Sequence, residues 1–282
     1  MPRGRRRRAR GVKTLDTSLS PSTQSSKSSK KRTSHRGVRP RASVKIDPVK
    51  LLESMVDDIA SRLGLDLLGL SREQLIEALR PVIEGLLERY SSRPSKDAII
   101  SRIIATSKHV YVLVSAYLLE KFDKLTPEQL EFVASYGEGV AAKYMPRLYR
   151  EAKRLGREDL IPLLRAIWER YGSPTPIACP YCGFRAVTPD LVCMVCGREL
   201  SEKEIKEAID FREKLVEFVE LYSPRDVEEA IEKGYVVVGE SIKPPSMQPE
   251  RGEVVLHLSK DERNLLKSLL VEKKEVMGSG EY

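Results

Sequence analysis

Apolar residues recur at helical spacing over residues 47–171, and this pattern predicts helices throughout that segment. The first apolar stripe has i, i+4, i+8 spacing and stops at Gly64, a residue type that commonly ends helices. Ser71 and Gln74 form a predicted capping box that opens the next helix, and Pro81 is expected to kink or split that helix. The stripe consists of Leu51, Leu52, Met55, Val56, Ile59, Ala60 and Leu63.

The most apolar part of the chain is the segment 97–122, whose second half is hydrophobic on nearly every side. That pattern predicts the central helix of a bundle. His109 on this helix is expected to be a hydrogen-bonded core residue and not a ligand. Thr126 and Gln129 form another predicted capping box, whose helix runs towards Tyr144.

Two shorter helices are predicted over 146–155 and 158–171, each followed by a glycine. Short connections favour antiparallel neighbours, so residues 46–172 are predicted to form a bundle of five or six helices. Trp168 is expected to pack in it. A basic face late in the bundle is expected to be solvated charge, because acidic residues are interspersed with it. It comprises Lys143, Arg147, Arg150, Lys153, Arg154 and Arg157.

The last third of the chain alternates between helical and β-like patterns. After a stiff Ser-Pro-Thr-Pro linker at 173–176, Ser201 and Glu204 predict a capping box and a helix to about residue 222. One more helix follows and is predicted to end at Gly234.

Two segments near the carboxyl end have the composition of strands, 235–238 and 253–258. Apolar residues alternate in the second segment, so it is predicted to be half exposed, with His257 on the outer face. Together they predict a short β-hairpin, which a final helix capped by Ser259 and Glu262 follows.

The most specific chemical signal is a pair of Cys-x-x-Cys motifs separated by ten residues, which contain all the cysteines of the chain: Cys179, Cys182, Cys193 and Cys196. Two such motifs suit one tetrahedral Zn²⁺ with four thiolate ligands. Gly183 and Gly197 permit a positive φ that turns backbone N–H groups towards the sulfur atoms. Four thiolates leave no position for an activated water, so the zinc ion is expected to be structural. A disulfide framework and a redox-active pair are the less favoured alternatives.

Residues 177–200, with the motifs CPYCG and CMVCG, resemble zinc-ribbon or zinc-knuckle proteins. The resemblance implies a binding role, because members of that family mostly hold nucleic-acid or protein surfaces in transcription, translation and replication machinery. The segment between the motifs, 184–192, has the length of a short β-hairpin around its Thr-Pro-Asp sequence.

These patterns predict a mainly α fold: a multi-helix bundle, a small zinc-ribbon-like module with four cysteine ligands, and a C-terminal α+β segment with a short β-hairpin. The predicted divisions are a disordered basic tail over 1–45, the bundle over 46–172, the module over 173–200, C-terminal helices with a β-ribbon over 201–276, and a frayed terminus over 277–282.

Charge is concentrated in the tail. Of the formal net charge of +8, residues 1–45 contribute +14, which leaves −6 for residues 46–282. The tail has almost no apolar residues, so it is expected to be disordered and to contact RNA or DNA phosphates. A solubilising tail and an organelle transit peptide are the alternatives. The expected contacts are Arg5, Arg6, Arg7, Arg8, Arg10, Lys30, Lys31 and Arg32.

Arg185 and Arg198 flank the cysteine motifs and are the candidates for phosphate contact in the folded part, with exposed charge near the thiolates as the alternative.

The hypothesis is a non-enzymatic, cytoplasmic protein that docks on a larger protein or ribonucleoprotein complex, without a membrane or a small-molecule substrate. A protein–protein adaptor is the alternative. An enzyme is disfavoured because no phosphate-binding glycine loop, His-x-x-x-His pair or nucleophile–base pair is found.

Amide residues are scarce, with Asn264 as the single asparagine, while charged residues make up 32% of the chain. This composition indicates a heat-adapted microbe and favours an archaeal one; ordinary bias in a helical protein is the alternative. No apolar run reaches the length of about 18 residues that a membrane helix needs.

Overall fold

The computed structural model describes residues 47–89 and 94–278. Over these residues the chain is mostly helical, with a small antiparallel sheet near the carboxyl end and the four cysteines close together. The mainly α class predicted from the sequence is therefore confirmed. The predicted basic tail and residues 279–282 lie outside the described residues.

Nine α-helices form the described chain up to residue 171, where the pattern predicted five or six, so that number was too low. Short 3₁₀ turns cover Leu65–Leu68 and Glu158–Leu160. The helices are α1 (Pro48–Glu53), α2 (Val56–Leu63), α3 (Arg72–Leu87), α4 (Lys96–Ala105), α5 (Ser107–Lys121), α6 (Pro127–Tyr136), α7 (Glu138–Lys143), α8 (Met145–Arg154) and α9 (Ile161–Tyr171).

The predicted central helix is two helices, α4 and α5, bent by 81° at Thr106. The Thr106 hydroxyl donates to the carbonyl oxygens of Arg102 and Ile103, at 3.0 and 3.2 Å, which satisfies acceptors at the end of α4. His109 is exposed on α5, so its predicted place in the core is wrong. Among the described helices none is by itself long and apolar enough to span a bilayer; α4 and α5 meet that test only as a bent pair.

Other predicted helices are also divided. α1 and α2 are separated at Ser54, and α6 and α7 at Gly137, so the helix predicted to run to Tyr144 ends early. Pro81 has the opposite outcome, because α3 continues through it without being split. The ring of Pro81 is on the exposed side of α3.

The predicted helix starts are confirmed in hydrogen-bond detail. In each capping box the hydroxyl of the first residue accepts from the backbone N–H three residues later, and that residue's side chain bonds back. Gly64 and Gly234 follow their helices with φ of 67° and 75°, a conformation that costs glycine little. The boxes are Ser71 with Gln74, Thr126 with Gln129, and Ser201 with Glu204.

The remaining elements are α10 (Glu202–Ala208), α11 (Phe211–Leu221), α12 (Pro224–Lys233), β1 (Tyr235–Val238), β2 (Ile242–Lys243), β3 (Val254–His257) and α13 (Lys260–Gly278). The single helix predicted after Ser201 is α10 and α11, because Asp210 takes a left-handed conformation with φ of 52° between them. The two predicted strands form, but they belong to a three-stranded antiparallel sheet in the order β2-β1-β3.

Strand β3 has the predicted alternation, with Val254 and Leu256 buried and Val255 and His257 exposed. The outward direction of His257 is thus confirmed. Its Nδ1 lies 2.7 Å from Oε1 of Glu202, which ties the sheet to the first turn of α10. The third strand, β2, was missed because two residues are too few for periodicity to show.

One apolar core extends from Leu52 in α1 to Leu270 in α13. It continues across the predicted linker and includes Cys179, Cys182 and Phe184 of the cysteine segment. Phe184 is fully buried. The cysteine segment is therefore packed into the helical body.

The predicted basic face is largely bonded to the chain's own acceptors. Arg147 donates to the carbonyl oxygens of Leu119 and Phe122, and so caps the end of α5. Arg157 pairs with Asp159 and Glu131 at 2.9 and 3.1 Å. The prediction that this basic face is simply solvated charge is therefore wrong for Arg147 and Arg157.

Glu151 anchors the same region from a buried position. Its carboxylate accepts from the backbone N–H of Leu125 at 3.1 Å and from Nη2 of Arg154 at 2.5 Å. Arg154 also donates to the Leu125 carbonyl oxygen. The hydrogen bonds from Arg154 lower the pKa of Glu151, although burial opposes them.

Because the pKa of Glu151 is lowered in the fold, its contribution to stability is present above the unfolded pKa of about 4.3 and is lost as the pH falls below it. We expect Glu151→Gln to cost about 1–2 kcal/mol at neutral pH and to flatten the acid side of the stability curve. Urea unfolding at several pH values measures both effects. Glu158→Gln, at an exposed ion pair with Lys153, is the control and should change neither. An unchanged acid slope in Glu151→Gln would contradict this role.

Candidate metal centre

The four cysteine sulfur atoms lie close enough together to hold one metal ion. Sγ of Cys179 lies 3.8 Å from Sγ of Cys196, and Sγ of Cys182 lies 3.6 Å from Sγ of Cys193. All four lie within 4.8 Å of one another. A tetrahedron with metal–sulfur bonds of about 2.3 Å has sulfur–sulfur edges of about 3.8 Å. The cysteines are free of disulfides, so this set can hold a metal ion.

The two Cys-x-x-Cys turns have the same backbone geometry. Gly183 and Gly197 have φ of 74° and 73°, and each donates its N–H to the carbonyl oxygen of the first cysteine of its turn at 2.8 Å. Backbone N–H groups hydrogen-bond the sulfur atoms as well: that of Phe184 bonds Cys182, and that of Arg198 bonds Cys196. The predicted role of the two glycines is confirmed.

Between the turns the chain reverses at the predicted Thr-Pro-Asp sequence. Leu191 donates its N–H to the Thr188 carbonyl oxygen at 2.9 Å, and Thr188 donates to that of Val192 at 2.9 Å. Val187 pairs with Cys193 as an isolated antiparallel bridge. The reversal is as predicted, but only single bridges, and no regular hairpin, form within residues 177–200.

The cysteine side chains shift the pKa values of one another. Burial raises the pKa of Cys196 to about 11. The hydrogen bond between Cys182 and Cys193 lowers the pKa of Cys193 to about 5 and raises that of Cys182. Burial and mutual repulsion disfavour four thiolates at this site, and a bound cation would offset both effects. Four sulfur ligands would complete a tetrahedral coordination sphere.

The cysteine segment is fastened to α9 and α8 by aromatic residues. Nε1 of Trp168 donates to the carbonyl oxygen of Arg185 at 2.8 Å. The rings of Tyr149 and Phe184 meet edge to face, with centroids 5.8 Å apart. The predicted packing role of Trp168 is thus confirmed, and its partner is the cysteine segment.

The two predicted phosphate contacts of the folded part have different surroundings. Arg185 donates from Nε to the Thr175 carbonyl oxygen at 3.0 Å and from Nη2 to Oε1 of Glu240 at 2.9 Å. Arg198 is exposed, and its guanidinium carbon lies 3.7 Å from the ring centroid of Tyr181. Arg185 is therefore occupied within the protein, whereas Arg198 is accessible. The predicted contacts in the tail lie outside the described residues.

Sequence reasoning missed one cation beside the motifs. Arg165, on α9, places Nη1 so close to the first turn that a Cβ on Gly183 would lie 2.7 Å from it. Nothing in the spacing of the cysteines points to a residue 17 positions before Cys182. Tyr181 was visible in the motif, but its contact with Arg198 depends on how the two turns face each other.

Comparison of the chain with protein-family models, with curated proteins and with solved structures gives no match. Function is therefore inferred from the cysteine cluster, its surroundings and the distribution of charge along the chain.

Proposed function

We propose that this is a non-enzymatic, nucleic-acid-associated protein that holds one structural Zn²⁺ through Cys179, Cys182, Cys193 and Cys196. Zinc is the preferred ion because it takes tetrahedral thiolate sets without redox chemistry. The zinc-ribbon-like module would give the protein a rigid docking surface on a larger cytoplasmic complex that processes genetic information. An archaeal, heat-adapted source rests on the amide-poor composition.

The observation that carries the nucleic-acid part is the separation of charge: +14 in residues 1–45 and −6 in residues 46–282. Clustered arginines displace counterions from phosphates, which gives affinity for RNA or DNA that depends on salt and little on sequence. The rest of the chain carries a net negative charge, so the tail would supply most of the electrostatic affinity.

We expect replacement of the tail arginines by glutamine to weaken binding of a fluorescein-labelled oligonucleotide more than about tenfold at low salt. The plot of log K against log salt concentration should become shallower by about 0.7 for each lost phosphate contact on a single strand. Fluorescence anisotropy over a salt series measures both quantities. The variant replaces Arg5, Arg6, Arg7, Arg8 and Arg10 together.

The matched control replaces the same arginines by lysine, which keeps the charge and should keep the salt dependence. If the glutamine variant bound as tightly as the parent, with the same salt dependence, the tail would not be the nucleic-acid contact. Binding lost equally in both variants would point to contacts that need guanidinium geometry and would contradict the electrostatic account.

The second candidate is a protein–protein adaptor with a solubilising tail. It is favoured by the internal pairing of arginines in the folded part, where Arg147, Arg157 and Arg185 are all engaged by the protein's own oxygens. The two functions differ in a native purification with and without nuclease. Partners that survive nuclease treatment and removal of residues 1–45 support the adaptor, and partners lost in both cases support nucleic-acid association.

A further inference from the structure

We propose that the outer surface of the first cysteine turn contacts single-stranded RNA or DNA through Tyr181, Arg198 and Arg165, here termed the knuckle platform. Tyr181 and Arg198 would stack against a base, and Arg165 would contact a neighbouring phosphate. The inference deepens the proposed function and rests on it. It assigns a specific contact to the folded part of the protein, in addition to the tail.

Tyr181 and Arg198 form a stack that is ordered before any ligand binds. The guanidinium carbon of Arg198 lies 3.7 Å from the ring centroid, and Tyr181 is 48% exposed. The Tyr181 hydroxyl donates to the carboxylate of Glu204, which holds the ring in place. A stack fixed in this way loses little side-chain entropy when a base adds to it.

Glu204 and Arg198 form no direct ion pair, although the hydrogen bonds from Tyr181 and Ser201 and the nearby charge of Arg198 all lower the pKa of Glu204. Its carboxylate accepts from the Tyr181 hydroxyl and from the backbone N–H and hydroxyl of Ser201, the last two at 2.8 Å. Arg198 has no carboxylate within ion-pair distance in the described chain. Arg198 hydrogen-bonds the Tyr181 side chain, and the other N–H groups of its guanidinium remain for an external acceptor.

Arg165 brings a second cation to the same turn. Its Nη1 lies against Gly183, two residues after Tyr181, in a space that exists because Gly183 has no Cβ. Arg165 is exposed and, among the residues that the structure describes, makes no ion pair. The contrast with Arg185 is direct, because Glu240 and the Thr175 carbonyl occupy that guanidinium.

These features favour a single strand over a duplex or a protein. An exposed aromatic ring and a guanidinium plane offer stacking faces, which only unstacked bases can use. The competing explanation is that both cations balance the charge of −2 that four thiolates and one divalent ion would carry. That explanation predicts altered metal binding on mutation, whereas the knuckle platform predicts altered nucleic-acid binding.

The test uses the full chain and a fluorescein-labelled oligo(dT) or oligo(U) of about 15 nucleotides, at a salt concentration where the tail contributes least. We expect Tyr181→Ala to weaken binding about 5- to 100-fold, and Tyr181→Phe, which keeps the ring, to bind far better than Tyr181→Ala. Arg198→Gln and Arg165→Gln should each weaken binding several-fold. Arg185→Gln is the matched control and should stay within about twofold of the parent.

Each variant is also loaded with Co²⁺, whose absorption reports the geometry of the sulfur ligands. An unchanged Co²⁺ spectrum together with weakened binding supports the knuckle platform. Normal binding together with a changed spectrum or lost zinc assigns Arg165 and Arg198 to the metal instead and overturns the inference. If the tail variant loses binding while all platform variants bind normally, the proposed function stands and this inference fails. A parent chain that binds neither oligonucleotide at any salt concentration overturns both.

Discussion

Replacing Cys193 with serine is expected to remove the bound metal and to unfold the cysteine segment. Structural zinc binds small peptides with an apparent free energy of about 10–16 kcal/mol, comparable to the whole stability of a domain, about 5–15 kcal/mol. Cys193 is fully buried, and the segment shares one core with the helices, so the loss should spread beyond the site. We expect a lower metal content, a lower melting temperature and increased protease cleavage within residues 173–200.

Elemental analysis of the purified chain measures the first effect, and thermal unfolding followed by circular dichroism measures the second. Met194→Ser is the matched control, because Met194 is the next residue in the same turn, is exposed and offers no thiolate. It should retain one metal ion for each chain. A parent protein without stoichiometric metal, or one whose melting curve stays the same under strong chelation with reduced thiols, would contradict the metal site.

Replacing Trp168 with alanine should destabilise the protein by about 3–5 kcal/mol, the usual cost of deleting a buried aromatic side chain. The change removes the packing of α9 on the cysteine segment and leaves the Arg185 carbonyl oxygen without its donor. Trp168→Phe keeps most of the packing but loses the hydrogen bond, so it should cost less, about 1–3 kcal/mol. Chemical denaturation monitored by circular dichroism gives the three free energies of unfolding.

The same residue provides a spectroscopic test of the contact. Trp168 is the only tryptophan in the chain, so its fluorescence reports on this contact alone. We expect chelation of the metal to shift its emission to longer wavelength as the ring becomes exposed to water. Leu163→Ala is the matched control for stability, because Leu163 is on the same helix and is 39% exposed. If the Trp168→Ala variant were as stable as the parent, the Trp168 ring would not contribute to the packing of α9 on the cysteine segment.

Features that depend on residues close together in the chain follow from the amino-acid sequence alone. The cluster of four cysteines, the positive φ of Gly183 and Gly197, and the capping boxes all involve groups within short stretches of the chain. The alternation in β3 belongs to the same class, since neighbouring side chains of a strand point to opposite faces. At these positions the groups that interact are close together in the sequence, so local patterns were enough to predict them.

Which distant groups meet depends on the tertiary structure. An apolar run that would suit one helix is divided at Thr106, whereas α3 continues through Pro81, so local propensity predicted neither outcome. Arg185 and Arg198 have similar positions beside the cysteine motifs in the sequence. In the structure Arg185 pairs with Glu240, 55 residues away, whereas Arg198 is exposed and stacks on the ring of Tyr181. Arg165 reaches Gly183 only because α9 packs beside the cysteine turn. Such contacts join residues that are far apart in the sequence, so they depend on the fold of the whole chain and cannot be predicted from short-range spacing.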